Sequence, residues 1–313
     1  MFAYVVRRLF STVVVMAVVA FVVFLLLYLT PGDPAAILAG DAATTDDIRR
    51  IRETLGLDRP FIVRFAEWAG ALLRGDLGTS IFTNLPVTRL IAQRIEPTLA
   101  LTACTLVVAV LVAVPMGVVA AAKAGTWIDR SVMGFTVLGF SVPVFVLAYI
   151  LIMVFSIELD WLPVQGYRPI SEGLWEWFRH LILPSLALGT VYMALIARIT
   201  RASMLDVLAQ DYIRTAQAKG LAPASVLVGH ALKNAAVPIM TVIGIGIALL
   251  IGGAIVTETV FAIPGIGRLT VDAILRRDYP IIQGVILIFS GAYVLINLAV
   301  DLSYMLFAPR IRF

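Results

Sequence analysis

The chain has 313 residues, 61% hydrophobic and only 14% charged, with a mean hydropathy of +0.98, where a soluble domain runs near half apolar and a quarter charged. A soluble fold of this length cannot hide so much apolar surface, so a soluble enzyme, a disordered chain and, despite a pI near 9.4 and a net charge of +4, a nucleic-acid binder are excluded. One cysteine, Cys104, rules out an intramolecular disulfide, and the two histidines, His180 and His230, show no metal-ligand spacing.

A bilayer core about 30 Å thick takes roughly 20 apolar residues of helix. Six uncharged runs meet or approach that length: residues 9–29, 98–122, 131–157, 181–197, 235–257 and 279–300, the fourth being the shortest at 17 residues. Backbone groups in lipid must be satisfied internally, and the alternating segments of a transmembrane barrel are absent from the sequence. The expected class is therefore an all-α membrane protein with six transmembrane helices. The first run follows Arg7 and Arg8, but it exceeds a signal-peptide core and leads into Thr30-Pro-Gly-Asp-Pro34 without a small-x-small cleavage site. It reads as a retained helix, so residues 1–30 form a tail and the first span.

Residues 31–97 form an external segment too long for a plain connection. Thr44 and Thr45 can cap a helix running to Leu55 and stopped by Gly56. Pro60 can open a second helix that places Phe61, Phe65, Trp68 and Leu72 on one face and ends at Gly75, and a third is expected over 87–95. Two readings stay open: a helical cap packed on the outer ends of the spans, or a docking platform for an external partner. The core, 98–307, carries helix breakers in its spans: Pro115 with Gly117, Gly139 with Pro143, Pro184 with Gly189, Pro238, and Gly244, Gly246, Gly252 and Gly253. These suit helices that rock, although such residues are common in membrane helices generally.

Between the fourth and fifth spans lies an inner elbow, 201–234 within the segment 198–234. Asp211 is a plausible N-cap and Gly220 a plausible C′ residue of a helix of about two and a half turns. On it Ile213, Ala216 and Gly220 share a face, with Ala216 and Gly220 small enough for close approach by another protein, and on pattern alone the elbow reads either as a passive surface feature or as a handle for transmitting force. Pro223 starts a second helix that runs through Lys233 into the fifth span. Beyond that span, Glu258 and Asp278 flank the turn Pro264-Gly265-Ile266-Gly267, an expected outer gate element. In the sixth span Tyr293, Asn297, Asp301 and Tyr304 share a face, either a pathway-lining stripe or a polar seam between helices. A short tail, 308–313, follows.

Charge sets the orientation. With the N-terminus inside, the inner loops and tails carry a net +8 and the outer segments a net −3. Both short inner loops and both tails thus obey the positive-inside rule. The sequence contains no Gly-x-x-x-x-Gly-Lys-Ser/Thr phosphate loop and no cluster of catalytic candidates, so neither ATP hydrolysis nor other enzymatic chemistry is expected of this chain.

At the elbow, Arg214-Thr215-Ala216-x-x-x-Gly220 resembles the Glu-Ala-Ala-x-x-x-Gly coupling motif of bacterial binding-protein-dependent ABC importer permeases. Arg214 stands where glutamate is usual and Thr215 where the first alanine is usual. The run Gln210-Asp-Tyr-Ile-Arg-Thr-Ala-x-Ala-Lys-Gly-Leu221 with His230-Ala-Leu-Lys-Asn234 is similar to the variant in the dipeptide/oligopeptide/nickel group. Further matches are Pro31-Gly-Asp-Pro34, Leu55-Gly-Leu-Asp-Arg-Pro60, Gly75-Asp-Leu-Gly-x-Ser80, Glu258-x-Val-Phe-x-x-Pro-Gly-x-Gly267 and Arg277-Asp-Tyr-Pro280. The resemblance implies a type I importer permease of the inner membrane, the member of the pair with a long periplasmic segment after its first helix and with both termini cytoplasmic. It implies a homologous second permease, two ATPase subunits that bind ATP and Mg²⁺, and a periplasmic or lipid-anchored binding protein. This chain would bind no cofactor or metal. By analogy Asp211, Tyr212, Arg214, Thr215, Ala216, Lys219 and Gly220 would couple to an ATPase. Glu258, Pro264, Gly265, Gly267, Asp278, Asn297 and Asp301 are the pathway or gate candidates. The expected function is half of a translocation pathway for short peptides, with nickel chelates or glutathione as alternative cargo. An ion-coupled secondary transporter is the other alternative. It would need inverted repeats and paired intramembrane acids, and neither is evident.

Overall fold

A computed structural model describes residues 2–29, 34–39, 43–54 and 56–307. Among the described residues every regular element is helical, and an antiparallel bridge joins Thr79 to Pro86. The chain divides into two compact units. One comprises residues 1–96 and 268–294, the other 97–267 and 295–313.

In the first unit, α1 (Phe2–Leu29) covers the first apolar run. A six-residue helix α2 (Pro34–Ala39), which periodicity does not announce, opens on a proline at its first position. The helix α3 (Thr45–Thr54) starts as expected. Thr44 Oγ1 accepts from the Asp47 N–H at 3.3 Å and Asp47 Oδ2 accepts from the Thr44 N–H at 3.1 Å, a reciprocal cap. The Thr44 hydroxyl and then its N–H, both donating to Asp47, hold that carboxyl below the ordinary carboxylate range. The helix α4 (Phe61–Leu73) ends where Gly75 takes φ +80°, its N–H bonded to the Leu72 carbonyl at 2.9 Å and the Asp76 N–H to the Ala71 carbonyl at 3.0 Å.

The apolar face of α4 lies on α1. Phe65 meets Phe21 and Phe24 edge-on at 5.5 and 5.4 Å, Trp68 meets Phe24 at 5.2 Å, and Phe61 meets Tyr28 at 5.0 Å. Each aromatic pair of this kind is worth about 0.5–1.5 kcal/mol beyond its buried area. The spacing of Phe61, Phe65 and Trp68 therefore serves packing within the chain.

The second unit holds the larger core. The helix α5 (Val87–Ala122) is continuous over 36 residues, so the separate third external helix expected over 87–95 does not exist. Its residues form the first turns of a helix that passes through Pro97 into the second span. Proline is tolerated within membrane helices when neighbouring groups satisfy the freed backbone. The third run is not one straight helix either. The helices α6 (Trp127–Ser141) and α7 (Val144–Leu151, prolonged by a wide turn to Glu158) meet at a bend of 107°. The cause is Pro143, which offers no N–H and drives the preceding Val142 to φ −90°, ψ 120°.

The shortest run, 181–197, lies in the most buried helix. The helix α8 (Leu174–Leu208) is 35 residues long, and 67% of its apolar window is buried inside the protein, against 22–33% for the other long apolar helices. It packs on α6, α7 and α10 (Lys233–Val260). A helix that faces protein rather than lipid needs no long unbroken apolar run, and Thr190 sits on it with its hydroxyl donating to the Leu186 carbonyl at 2.6 Å. Cys104 is buried in this core. The short helices α9 (Asp211–Ala218) and α11 (Ile266–Arg276) and the last helix α12 (Tyr279–Phe307) complete the order.

By length and composition the described residues hold four helices able to cross a membrane, or five counting α6 and α7 as one broken span; the apolar part of α1 counted there, Phe10–Leu26, is shorter. Residues 31–33, 55 and 308–313 lie outside the described residues, as do the side chains of Asp301 and Tyr304. Of the proposed stripe, Tyr293 is exposed and Asn297 half-buried.

Candidate functional site

The elbow helix is seated on its own chain. The residue before α9, Gln210, has the extended φ −76°, ψ 147° of a cap. Asp211 is thus the first helical residue and not the N-cap; its acid side chain still complements the helix N-terminus. At the other end Gly220 has φ +78° with its N–H on the Gln217 carbonyl at 2.9 Å, the expected left-handed stop. Pro223 begins the next helical stretch, which continues without a break through residues 225–232 into α10.

The face carrying Ile213 and Ala216 is not offered outward. Both are buried, in a cluster with Ala121, Met204, Val226, Ala231, Ala235 and Ile239. The small Ala216 permits close approach by this protein's own helices rather than by a partner. The opposite face is free of that core: Asp211, Tyr212, Arg214, Thr215, Lys219 and Gly220 are exposed, and a built Cβ on Gly220 would touch nothing within 4 Å. Arg214 and Asp211 lie 3.5 Å apart with most of both side chains in solvent, a pair worth little. What is presented is an aromatic ring and two cations on a short helix with a rigid root.

The Pro264–Gly267 turn is locked from inside. Glu258, fully buried near the end of α10, accepts at Oε1 from the Thr98 hydroxyl at 2.6 Å. The same hydroxyl accepts from the Ile266 N–H at 2.8 Å. A side chain at Gly265 would place its Cβ 2.2 Å from the Glu258 carboxyl, and one at Gly267 would lie 2.6 Å from the Ile255 Cα. The two glycines are therefore the space into which Glu258 fits. Gly265→Ala is expected to lower the melting temperature of the purified protein by an amount equivalent to about 1–3 kcal/mol, as overpacking does. A scanning-fluorimetry curve superimposable on the native one would contradict this.

In the other unit, Asp278 is 2% exposed and binds the stretch between α4 and α5. Its Oδ2 accepts from the Ser80 hydroxyl at 2.6 Å and its Oδ1 from the Ile81 N–H at 3.3 Å. The Gly75–Ser80 and Arg277–Pro280 motifs are thus two halves of one tie. Sequence reading treated Glu258 and Asp278 together, but the structure joins each to a different partner within its own unit.

Three features escaped sequence reading. Tyr192 of α8 donates its hydroxyl to the Ile243 carbonyl of α10, and a Cβ on Gly246 would overlap its ring at 1.6 Å. Thr98 bridges α10 and α11. Asp129 and Arg201 form a bidentate pair at 2.5 and 2.8 Å. A hydroxyl, a glycine and two charges at distant positions have no local signature.

The comparisons agree with this architecture. Residues 113–313 match the family model described as binding-protein-dependent transport system inner membrane component, and residues 1–102 match that of the N-terminal part of such membrane components. The chain belongs to this family of multi-pass inner-membrane permeases. It is 56% identical over 310 residues to a probable peptide ABC transporter permease of Sinorhizobium fredii, with 99% of each chain covered. It is 43% identical over 313 residues to the glutathione transport system permease protein GsiC of Salmonella choleraesuis, with 100% of each covered. An inward-facing structure of the MetNI methionine ABC transporter superposes with a TM-score of 0.59 at 18% identity, covering 71% of this chain and 97% of that one. That likeness shows the type I permease fold.

Proposed function

We propose that this chain is the half of an ATP-driven importer that carries short peptides or glutathione-like solutes, that it spans the membrane six times with its termini and elbow on the cytoplasmic side, and that α9 is the helix pushed by an ATPase subunit. The observation that carries the coupling reading is the division of α9 into a rooted face and an exposed one. A lever must be fixed to what it moves and open to what moves it. The charge balance supports the orientation, since the elbow falls on the side with the net +8. Full-length similarity to peptide and glutathione permeases supports the cargo class.

In this reading a homologous permease completes the pathway, and two ATPases bind ATP and Mg²⁺. A binding protein delivers cargo, and nucleotide-driven closure of the ATPases moves the elbows so that the cavity alternates between the two sides. Glu258 and the 264–267 turn stiffen the outer end of the pathway. Affinity purification of the tagged chain from its native membrane is expected to recover a second permease and ATPase subunits, and reconstituted vesicles are expected to take up peptide only with ATP and the binding protein. Uptake by this chain alone under an ion gradient would overturn the reading.

A further inference from the structure

The exposed face of α9 explains how a push is received; a second feature of the same unit bears on where the push goes. Asp129 lies in the first turn of α6 and is 4% exposed. Its Oδ1 accepts from Arg201 Nε at 2.5 Å, and its Oδ2 from Arg201 Nη2 at 2.8 Å and from the Gly125 N–H at 2.9 Å. Arg201 is on α8, ten residues before α9 begins. The carboxylate therefore holds three things together: the start of α6, the Lys123–Thr126 turn that joins α5 to α6, and the α8 segment that carries the elbow.

Next to it the packing is equally close. Gly117 of α5 lies against α8 so tightly that a Cβ there would sit 2.5 Å from Thr200 Cβ and 2.7 Å from the Ala197 carbonyl. Ala121 of α5 and Met204 of α8 share the buried cluster with Ile213 and Ala216. Apolar packing of small groups resists compression, but it resists sliding and separation weakly. A fork-on-fork guanidinium–carboxylate pair with its carboxylate buried fixes both distance and orientation. Breaking such a pair on one side leaves an uncompensated charge.

We propose that Asp129 and Arg201 are positioning residues for energy coupling: their pair makes the 123–126 turn and the elbow move as one block, so that displacement of α9 is delivered to α5 and α6 as well as to α8 and α10. This inference rests on the reading of α9 as the coupling helix.

The test uses the assembled transporter in lipid vesicles, with Asp129→Asn, Arg201→Lys and the charge exchange Asp129→Arg with Arg201→Asp. Asp129→Asn is expected to assemble with the ATPases and hydrolyse ATP, but to move at least fivefold less peptide per ATP. Arg201→Lys, which keeps the charge and loses the fork, should fall between it and the native protein. The exchange should restore at least half of the lost ratio, a recovery that a general packing defect would not show. Spin labels at Ala124 and Gln217 give a readout independent of transport. The distance distribution should be narrow and the same with and without trapped ATP in the native complex, and broad in Asp129→Asn.

A native ratio of peptide to ATP in Asp129→Asn, or a narrow distribution that survives the substitution, overturns the proposal. Failure of the coupling reading itself would show elsewhere, as undisturbed ATPase stimulation when the exposed face of α9 is changed. If Asp129→Asn does not assemble, Arg201→Lys and the exchange decide the matter by the same two measurements.

Discussion

Replacing Tyr212 by alanine together with Arg214 by glutamate is expected to reduce substrate-stimulated ATP hydrolysis of the assembled transporter at least tenfold while leaving insertion and melting temperature unchanged. Both side chains stand on the exposed face of α9 and are absent from the buried cluster beneath it. Aromatic and arginine anchors dominate interfaces, and truncating one of them costs about 2 kcal/mol or more, roughly thirtyfold in affinity. Reversing a charge adds repulsion where attraction stood. The control is Ala216→Leu, which pushes a larger side chain into the root of α9. It should lower the melting temperature by an amount equivalent to about 1–3 kcal/mol, and lose activity for that reason. Gly220→Arg has open space around it but a φ of +78°, so it strains the backbone by about 1 kcal/mol and adds a cation at the tip. ATPase stimulation measured beside thermal unfolding separates the two faces. Undiminished stimulation in the Tyr212 and Arg214 double variant would remove α9 from the coupling path.

Gly246→Ala is expected to be the most damaging single methyl in the protein's core. The added Cβ would lie 1.6 Å from Tyr192 Cε2 and 2.3 Å from Cζ. Neither helix can yield easily: α8 is gripped on several sides, and the Tyr192 hydroxyl is anchored on the Ile243 carbonyl. Overpacking of this kind costs about 3 kcal/mol, and a membrane transporter with this defect should express poorly and melt early. Tyr192→Leu in the same chain removes the clash, so the double variant should recover about half of the loss, well outside additivity for independent sites. Tyr192→Phe alone keeps the packing and removes only the hydrogen bond, an effect of roughly 0.6–1.7 kcal/mol in membrane helices. Thermal unfolding of the native protein, Gly246→Ala, Tyr192→Leu, their double variant and Tyr192→Phe in one detergent checks the set, and additivity of the first two substitutions would contradict the contact.

Which parts of the molecule were legible in advance follows from how local their causes are. The start of α3 at Thr45 and the ends of α4 and α9 at Gly75 and Gly220 were readable, because a cap or a left-handed turn is chosen by a few adjacent residues. The aromatic face of α4 was readable as a face, but its partner α1 was not. The bend at Pro143 was visible as a breaker, while its 107° size was not, since proline removes one hydrogen bond and leaves the direction of the next helix to packing. Asp211 was misread as the cap because aspartate favours that position; Gln210 took it without a side-chain bond.

The proposed coupling site divides along the same line. Composition and charge placed the elbow on the basic side, and the order of residues 211–220 marked it as a helix with a stop. Which of its faces looks outward was decided by Met204, Val226 and Ala231 arriving from two other stretches of the chain. Sequence by itself determined that this is a helical membrane protein, the asymmetry of its charge and the positions of several of its turns, because lipid solubility, charge asymmetry and caps are properties of short stretches. Tertiary structure alone decided that Glu258 fills the space of two glycines, that Asp278 ties Ser80 and that Asp129 holds Arg201. Those pairs are 7 to 198 residues apart, and only the packing of helices into one another sets which polar groups meet when water is gone.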